Sequence, residues 1–268
     1  MLRRCRPLLG TFVEVTSEDG EAIDAAFAAI ERVQGLMSAH EPGSDVSRIN
    51  CLAHLRPIEV HDWTVRVLER ALVWSRESEG AFDVVRAGHA AIGRGLIPIH
   101  AQQPAPKAAH WTWLEIQGSG VRLHGPGCID LGGIAKGFAV DRAIDALREV
   151  GARRGLVNAG GDIAGYGQAW RVQIGEPRMR RPLADVTIDG EALATSALVD
   201  GGFGHLPDAD RRWISASVRA RCATDADALT KVLLSGSNRA EHCLCLVRAE
   251  GLRITEDGFI EPLERAPA

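Results

Sequence analysis

The amino-acid sequence predicts an α+β fold, with mixed, mostly antiparallel sheets and packed helices. Short stretches alternate apolar and polar residues at the strand period, TFVEVT (11–16) and WRVQIG (170–175) among them. Longer stretches repeat apolar residues at the helical period, and glycine turns lead one strand pattern straight into the next, which favours antiparallel neighbours. No internal repeat or low-complexity segment breaks this alternation.

In chain order, TFVEVT is a half-buried strand, and Ile23, Phe27, Ile30, Val33 and Met37 then fall on one stripe of a helix over 21–39. Asp62 is placed as the N-cap of a second helix with Leu68, Ala71, Leu72 and Ser75 on one face. Between 90 and 110 glycine, proline and alanine replace the periodicity with a loop, which would divide a single domain over 1–268 into two lobes near residue 100. TWLEIQGSGVRLH (112–124) reads as a hairpin about a glycine turn. Val140, Ile144 and Leu147 mark a helix that Gly151 ends, and GLVNAGGD (155–162) is a short strand running into glycines. Strands follow at 170–175, 184–189, 192–197 and 213–220, then a helix from Asp225 to Leu234, and CLCLVRAEGLRITED is expected to form a last hairpin.

Composition narrows the function. The 268 residues carry 46% hydrophobic and 25% charged side chains, enough for a substantial core. A net charge of −4 and a pI of about 6.1 leave no basic field for nucleic acid, which is not expected as a partner. No stretch reaches the ~20 apolar residues of a membrane span. The start, MLRRCRPLLGTFVEV, lacks an apolar signal region, and no apolar run precedes Cys5 as in a lipidated cysteine, so the expected location is the cytoplasm. The six cysteines form no CxxC pair and read as reduced, mostly buried thiols.

The stretch IDLGGIAKGFAVDRAID (129–145) carries the densest chemistry. Glycines allow close approach of a ligand to the backbone, and a helix N-terminus offers free N–H groups and partial positive charge to a phosphate. Lys136 adds a full charge, and Asp130 can accept hydrogen bonds. The spacing fits neither the P-loop nor the dinucleotide fingerprint. Taken alone, the stretch is also compatible with a plain turn before an amphipathic helix.

Further segments extend the pattern: MSAHEPGSDVSRIN (37–50), GAFD (80–83), DLGGIAKGFAVD (130–141), NAGGD (158–162), ATS (194–196) and DADALTK (225–231), in this order. The series resembles the ApbE family of flavin transferases over nearly the whole chain. That resemblance implies an ApbE-like, T-fold-related architecture and Mg²⁺-dependent transfer of FMN from FAD to a Thr or Ser hydroxyl of an acceptor flavoprotein, with release of AMP. It implies FAD contacts from Met37, His40, Ala81, Phe82, Asp83, Asp130 and Lys136. It also implies Mg²⁺ held by a backbone oxygen at Gly133 and by Asp227; Thr230, one position before the family's threonine and on nearly the same helical face, is this chain's own candidate for a hydroxyl ligand. The alternatives are a flavin-binding protein without transfer activity and an FAD hydrolase yielding FMN and AMP.

Each residue also has a plainer role. Met37 and Phe82 read as core, Asp83 as a loop cap, and Asn158 and Asp162 as turn residues. Asp227 and Lys231, four apart on a helix, read as a surface ion pair. Three features depart from the family pattern. His40 replaces the tyrosine of M-S-x-Y, and the H-I-x-D-P-x-T-G stretch survives only as GHLPDADRR (204–212), leaving His205 as the candidate base with Asp208 beside it. Lys231 stands where relatives carry threonine, and an ammonium cannot ligate Mg²⁺.

Overall fold

The computed structural model describes residues 1–93, 95–96, 110–125, 127–175, 182–198, 210 and 212–263. The lobe division placed near residue 100 and the candidate base His205, with Asp208, lie outside them.

The chain opens with the hairpin β1 (Leu2–Leu8) and β2 (Thr11–Ser17). The helix α1 (Gly20–Met37) follows, its N-cap Asp19 accepting from the Glu21 N–H at 2.9 Å and its stripe from Ile23 to Met37 buried. Next come α2 (Asp45–Leu52), β3 (Ile58–Glu59), α3 (Asp62–Glu77) and α4 (Val84–Gly93). The N-cap of α3 is His61, whose Nδ1 accepts from the Trp63 N–H at 3.0 Å; Asp62 is already in the first turn. The expected hairpin is β4 (Leu114–Gln117) with β5 (Gly120–Leu123), and β3 joins its edge to complete a three-stranded sheet.

The second half supplies α5 (Ala135–Glu149), β6 (Gly155–Ala159), β7 (Asp162–Tyr166), β8 (Trp170–Gly175), β9 (Pro182–Ile188), β10 (Glu191–Ala197) and β11 (Trp213–Ala220). It closes with α6 (Ala223–Leu234), α7 (Ala240–Leu246), β12 (Glu250–Thr255) and β13 (Ile260–Leu263). Here the expectation for the C-terminal segment is corrected. CLCL lies in α7, where Cys243 and Leu244 pack inward, and the last hairpin is β12 with β13. Four alternating residues are too few to distinguish a strand from one side of a short helix.

Every strand pair among the described residues is antiparallel, and the main sheet runs β1-β2-β6-β7-β10-β11-β12-β13. The fold is therefore α+β, as the sequence predicts. The helices α1, α5 and α6 cover one face of this sheet, burying Val13, Val15, Val157, Ala194 and Val218. The β8–β9 hairpin covers part of the other face through a second cluster of Ile163, Val172, Ile174, Ile188 and Leu193. Covered on both sides, β7 is buried at all five positions. All twelve residues of α6 are buried, which makes it the central helix of the fold. No described helix is long and apolar enough to cross a membrane, and all six cysteines are free.

Candidate functional site

The glycine-rich stretch is held from both sides before its helix begins. Asn50 on α2 clamps Ile129, accepting its N–H at 2.7 Å and donating to its carbonyl at 3.1 Å. The Asp130 N–H donates to the Val84 carbonyl at 2.9 Å, and the Asp130 carboxylate accepts the Gly132 N–H at 2.8 Å. One turn closed by Ala135 N–H on the Leu131 carbonyl at 2.8 Å then leads into α5. The N-cap residue Ile134 has no side-chain acceptor to offer. Asp227 of α6 supplies one instead, its Oδ2 accepting the Gly137 N–H at 3.0 Å. The arrangement is reciprocal, because Asp141 of α5 accepts the N–H groups of Ala223 at 2.8 Å and Thr224 at 2.9 Å, at the start of α6. Each helix caps the other.

This loop forms one wall of a cleft of 610 Å³. Asp130, Gly132 and Lys136 line it together with Met37 and His40, Gly10 of the β1–β2 turn and Gly160 of the glycine turn. Met37 is the last residue of α1, and the MSAH segment beyond it is anchored by two serines of the α2 region. Ser44 Oγ donates to the Ser38 carbonyl at 2.6 Å, and Ser47 Oγ to the Ala39 carbonyl at 3.2 Å. His40 is exposed at the rim. A cleft of this size suits a dinucleotide-sized ligand with part of its surface in solvent. A larger, more open depression of 1110 Å³ lies beside β9 and β12, between Ile174, Val186, Leu252 and Pro262, and none of the motif residues reaches it.

Behind the loop lies a buried charge cluster. Lys136 Nζ donates to Asp162 Oδ2 at 2.5 Å, and Lys231 Nζ donates to Asp227 Oδ1. Both carboxylates are fully buried and Lys231 is 7% exposed, so the Asp227–Lys231 surface pair expected from sequence is an interior one. Burial works against the Asp227 charge, but Lys231 and Lys136 outweigh it and hold this carboxyl below its usual range. For Asp162 the balance is reversed: burial and the neighbouring Asp227 charge push it up to about 6 against the pull of both lysines. Lys136 is held above its ordinary value, burial being overcome by Asp227 and Asp162. Asp162 Oδ1 has no hydrogen-bond partner among the described residues. The turn before it is made by Asn158, which accepts the Gly161 N–H at 3.0 Å, while Gly160 and Gly161 take φ of +64° and +101°.

The AFD segment stands apart from the cleft wall. Asp83 accepts the N–H groups of Val85 at 2.9 Å and Arg86 at 3.0 Å at the start of α4, and of Trp111 at 3.0 Å. The loop-cap role is the one its contacts display. Ala81 is half-buried beside it, and the buried Phe82 ring lies against Gly133, where an added Cβ would come within 3.3 Å of it. Sequence reasoning gave no role to Ser196 of the ATS segment. Its hydroxyl pairs with Thr230 Oγ1 at 2.7 Å and accepts from Lys231 at 2.9 Å.

The side chains expected to hold Mg²⁺ are already engaged within the protein. Thr230 Oγ1 donates to the Asp227 carbonyl at 2.7 Å and accepts from Lys231 at 3.1 Å, and both Asp227 carboxylate oxygens already carry N–H donors. The described residues contain no cluster of three or more His, Cys, Asp or Glu side chains able to hold a metal. A divalent ion bound by Asp227 Oδ1 would have to displace the Lys231 ammonium that already occupies it, and the two cations would repel each other. With Lys231 in place, this donor set does not fit Mg²⁺.

The ApbE family pattern matches residues 9–246. The chain belongs to the ApbE family. Among its relatives, the FAD:protein FMN transferase of Vibrio cholerae serotype O1 is 27% identical over 87% of this chain and 79% of its own length. That of Rhodobacter capsulatus is 29% identical over 94% of this chain and 55% of its own. A third, from Klebsiella pneumoniae, is 25% identical over 71% of this chain, and the match spans 64% of that relative's length. Among solved structures, an ApbE protein from Thermotoga maritima superposes with a TM-score of 0.83 at 23% identity, covering 99% of both chains. The flavin transferase ApbE of Vibrio cholerae gives 0.81 at 23% identity, covering 99% of this chain and 97% of its own. At those identities the superpositions establish the fold.

Proposed function

We propose that this ApbE member transfers FMN from FAD to a Thr or Ser hydroxyl of an acceptor flavoprotein. In that reaction the hydroxyl oxygen attacks the phosphorus of the FMN half, and the bond from that phosphorus to the bridging oxygen breaks. AMP leaves with the bridging oxygen, and the hydroxyl proton passes to a base, for which His205 is the candidate. The observation that carries the reading is the cleft itself. It joins the MSAH segment, the glycine loop and Lys136 at the N-terminus of α5, where a backbone open to close approach and an ammonium with only one N–H on Asp162 suit a pyrophosphate. The names of the curated relatives point to the same reaction.

Within this reading Lys136 and the glycine loop bind and orient the phosphates. Met37 and His40 offer a surface for a ring, the thioether by soft contact and the imidazole by stacking. Phosphoryl transfer depends chiefly on such positioning and on charge stabilisation. FAD should bind at least tenfold more tightly than FMN by calorimetric titration, because only FAD brings the pyrophosphate and adenylate half. Incubation with FAD and candidate acceptors, followed by mass spectrometry, should show an acceptor carrying FMN and an equal yield of AMP. AMP and free FMN without an acceptor would favour hydrolysis, and tight FAD binding with no AMP would favour a carrier. Equal affinity for FAD and FMN would remove the reason for placing a pyrophosphate at α5.

A further inference from the structure

The cation of this site is part of the polypeptide. We propose that the Lys231 ammonium takes the place of a bound divalent ion beneath the glycine loop, so that FAD binding by this chain needs no metal. The proposal rests on the flavin reading above and specifies how the site is charged.

Three observations carry it. First, the ammonium is saturated: Lys231 Nζ donates to Asp227, to Ser196 Oγ at 2.9 Å and to Thr230 Oγ1 at 3.1 Å, three acceptors for three N–H bonds. Such a head group, 7% exposed, is fixed in place rather than drawn from solvent. Second, its position is under the loop that lines the cleft. A Cβ on Gly133 would lie 3.5 Å from Lys231 Cε and Cγ, while the adjacent Gly132 and Lys136 face the cleft. Third, the charges already balance. Lys136 and Lys231 oppose Asp162 and Asp227, and the second Asp227 oxygen is spent on the Gly137 N–H. Without ligand, a +2 ion added here would leave the cluster with excess positive charge, and with or without ligand it would have to displace Lys231 from its acceptors. A lysine head group is a compact point charge that serves this purpose on its own.

Shortening Lys231 to threonine removes the ammonium and frees Asp227 Oδ1, with hydroxyls of residues 196, 230 and 231 nearby. That variant should gain what the wild type lacks, a place for a hard cation among oxygen ligands. The test compares FAD affinity by calorimetry in EDTA and in millimolar Mg²⁺, and Mn²⁺ binding by electron paramagnetic resonance, for wild type, Lys231→Thr and Lys231→Met. Wild type should bind FAD within twofold in the two buffers and take up no Mn²⁺. Lys231→Thr should lose tenfold or more of its FAD affinity in EDTA, recover it with Mg²⁺ and bind Mn²⁺. Lys231→Met, uncharged and without a ligand oxygen, should bind FAD weakly in both. Should the variants fail to fold, the wild-type comparison alone decides. FAD binding by wild type that needs Mg²⁺, or Mn²⁺ uptake by wild type, overturns the proposal and leaves the flavin reading standing. A wild type that binds FAD in neither buffer overturns both.

Discussion

Gly137 is where two central helices touch, and replacing it with alanine tests the packing that sets the whole site. An added Cβ would lie 2.1 Å from the Ala223 carbonyl oxygen, 2.6 Å from its carbon and 2.8 Å from Asp227 Cβ. Carbon–oxygen contacts settle at about 3.3 Å, so α5 and α6 must part by roughly 1 Å. Overpacking of this kind costs about 1–3 kcal/mol. Parting the helices also weakens the Gly137 N–H bond to the Asp227 carboxylate, 3.0 Å in the wild type, and a bond to a charged acceptor contributes ~1.5–3 kcal/mol. Against this stands a gain in helix propensity of about 1 kcal/mol. The net loss is therefore ~2–4 kcal/mol, which lowers Tm by roughly 4–8 °C in a chain of this length. The control is Gly35→Ala in α1, where nothing lies within 4 Å of the new Cβ and stability should rise by up to ~1 kcal/mol. Scanning calorimetry of both variants checks the pair. If Gly137→Ala melts at or above the wild type, the close approach of α5 and α6 is not what holds Asp227 in place, and the reasoning fails.

Two other expectations follow from single side chains. Asp83→Ala removes an acceptor from three backbone N–H groups and should cost about 2–3 kcal/mol in urea unfolding, with faster amide exchange at Trp111; unchanged exchange there would separate Asp83 from the 110 segment. An alkylating reagent should modify the exposed Cys5 in the native protein and spare Cys128 and Cys243, whose thiols burial pushes up to about 11; peptide mapping that finds these two modified before unfolding would contradict their burial.

What the sequence made legible was what periodicity and glycine can encode. The stripe of Val140, Ile144 and Leu147 is buried in α5, and Gly151 ends that helix with φ of +84°. Met37 was legible twice, as the end of an apolar stripe and as a family position, and it lines the cleft. The charged interior was not legible. A lysine four residues after an aspartate on a helix ordinarily faces water, and nothing local announces that all of α6 is enclosed by α5 and four strands of the main sheet. The partners that make this interior tolerable lie far off in sequence: Asp162 is 26 residues from Lys136, and Ser196 is 35 from Lys231. Only the fold brings them together. For the same reason the N-cap of α5 could not be found beside it, since the acceptor is Asp227, 90 residues downstream of Gly137.

That remote pairing gives Lys136 two roles that one substitution cannot separate. A lysine at a helix mouth is ordinarily dispensable to the fold, yet among the described residues its ammonium is the only hydrogen-bond partner of the fully buried Asp162 carboxylate. Lys136→Met should therefore cost roughly 3–5 kcal/mol, the usual consequence of stranding one member of a buried pair. The double variant Lys136→Met with Asp162→Asn removes both charges and should recover most of that loss. Phosphate binding follows a different rule. If Lys136 meets FAD phosphate oxygens, a charge-assisted bond of ~1.5–3 kcal/mol is lost in both variants, and FAD affinity falls about ten- to a hundredfold in each. Stability should thus return in the double variant while affinity does not, as read by thermal melts and calorimetric titration on the same preparations. A double variant that regains wild-type FAD affinity along with its stability would make Lys136 a counter-ion for Asp162 alone, and the pyrophosphate would then have to be held by the backbone N–H groups of the loop without it.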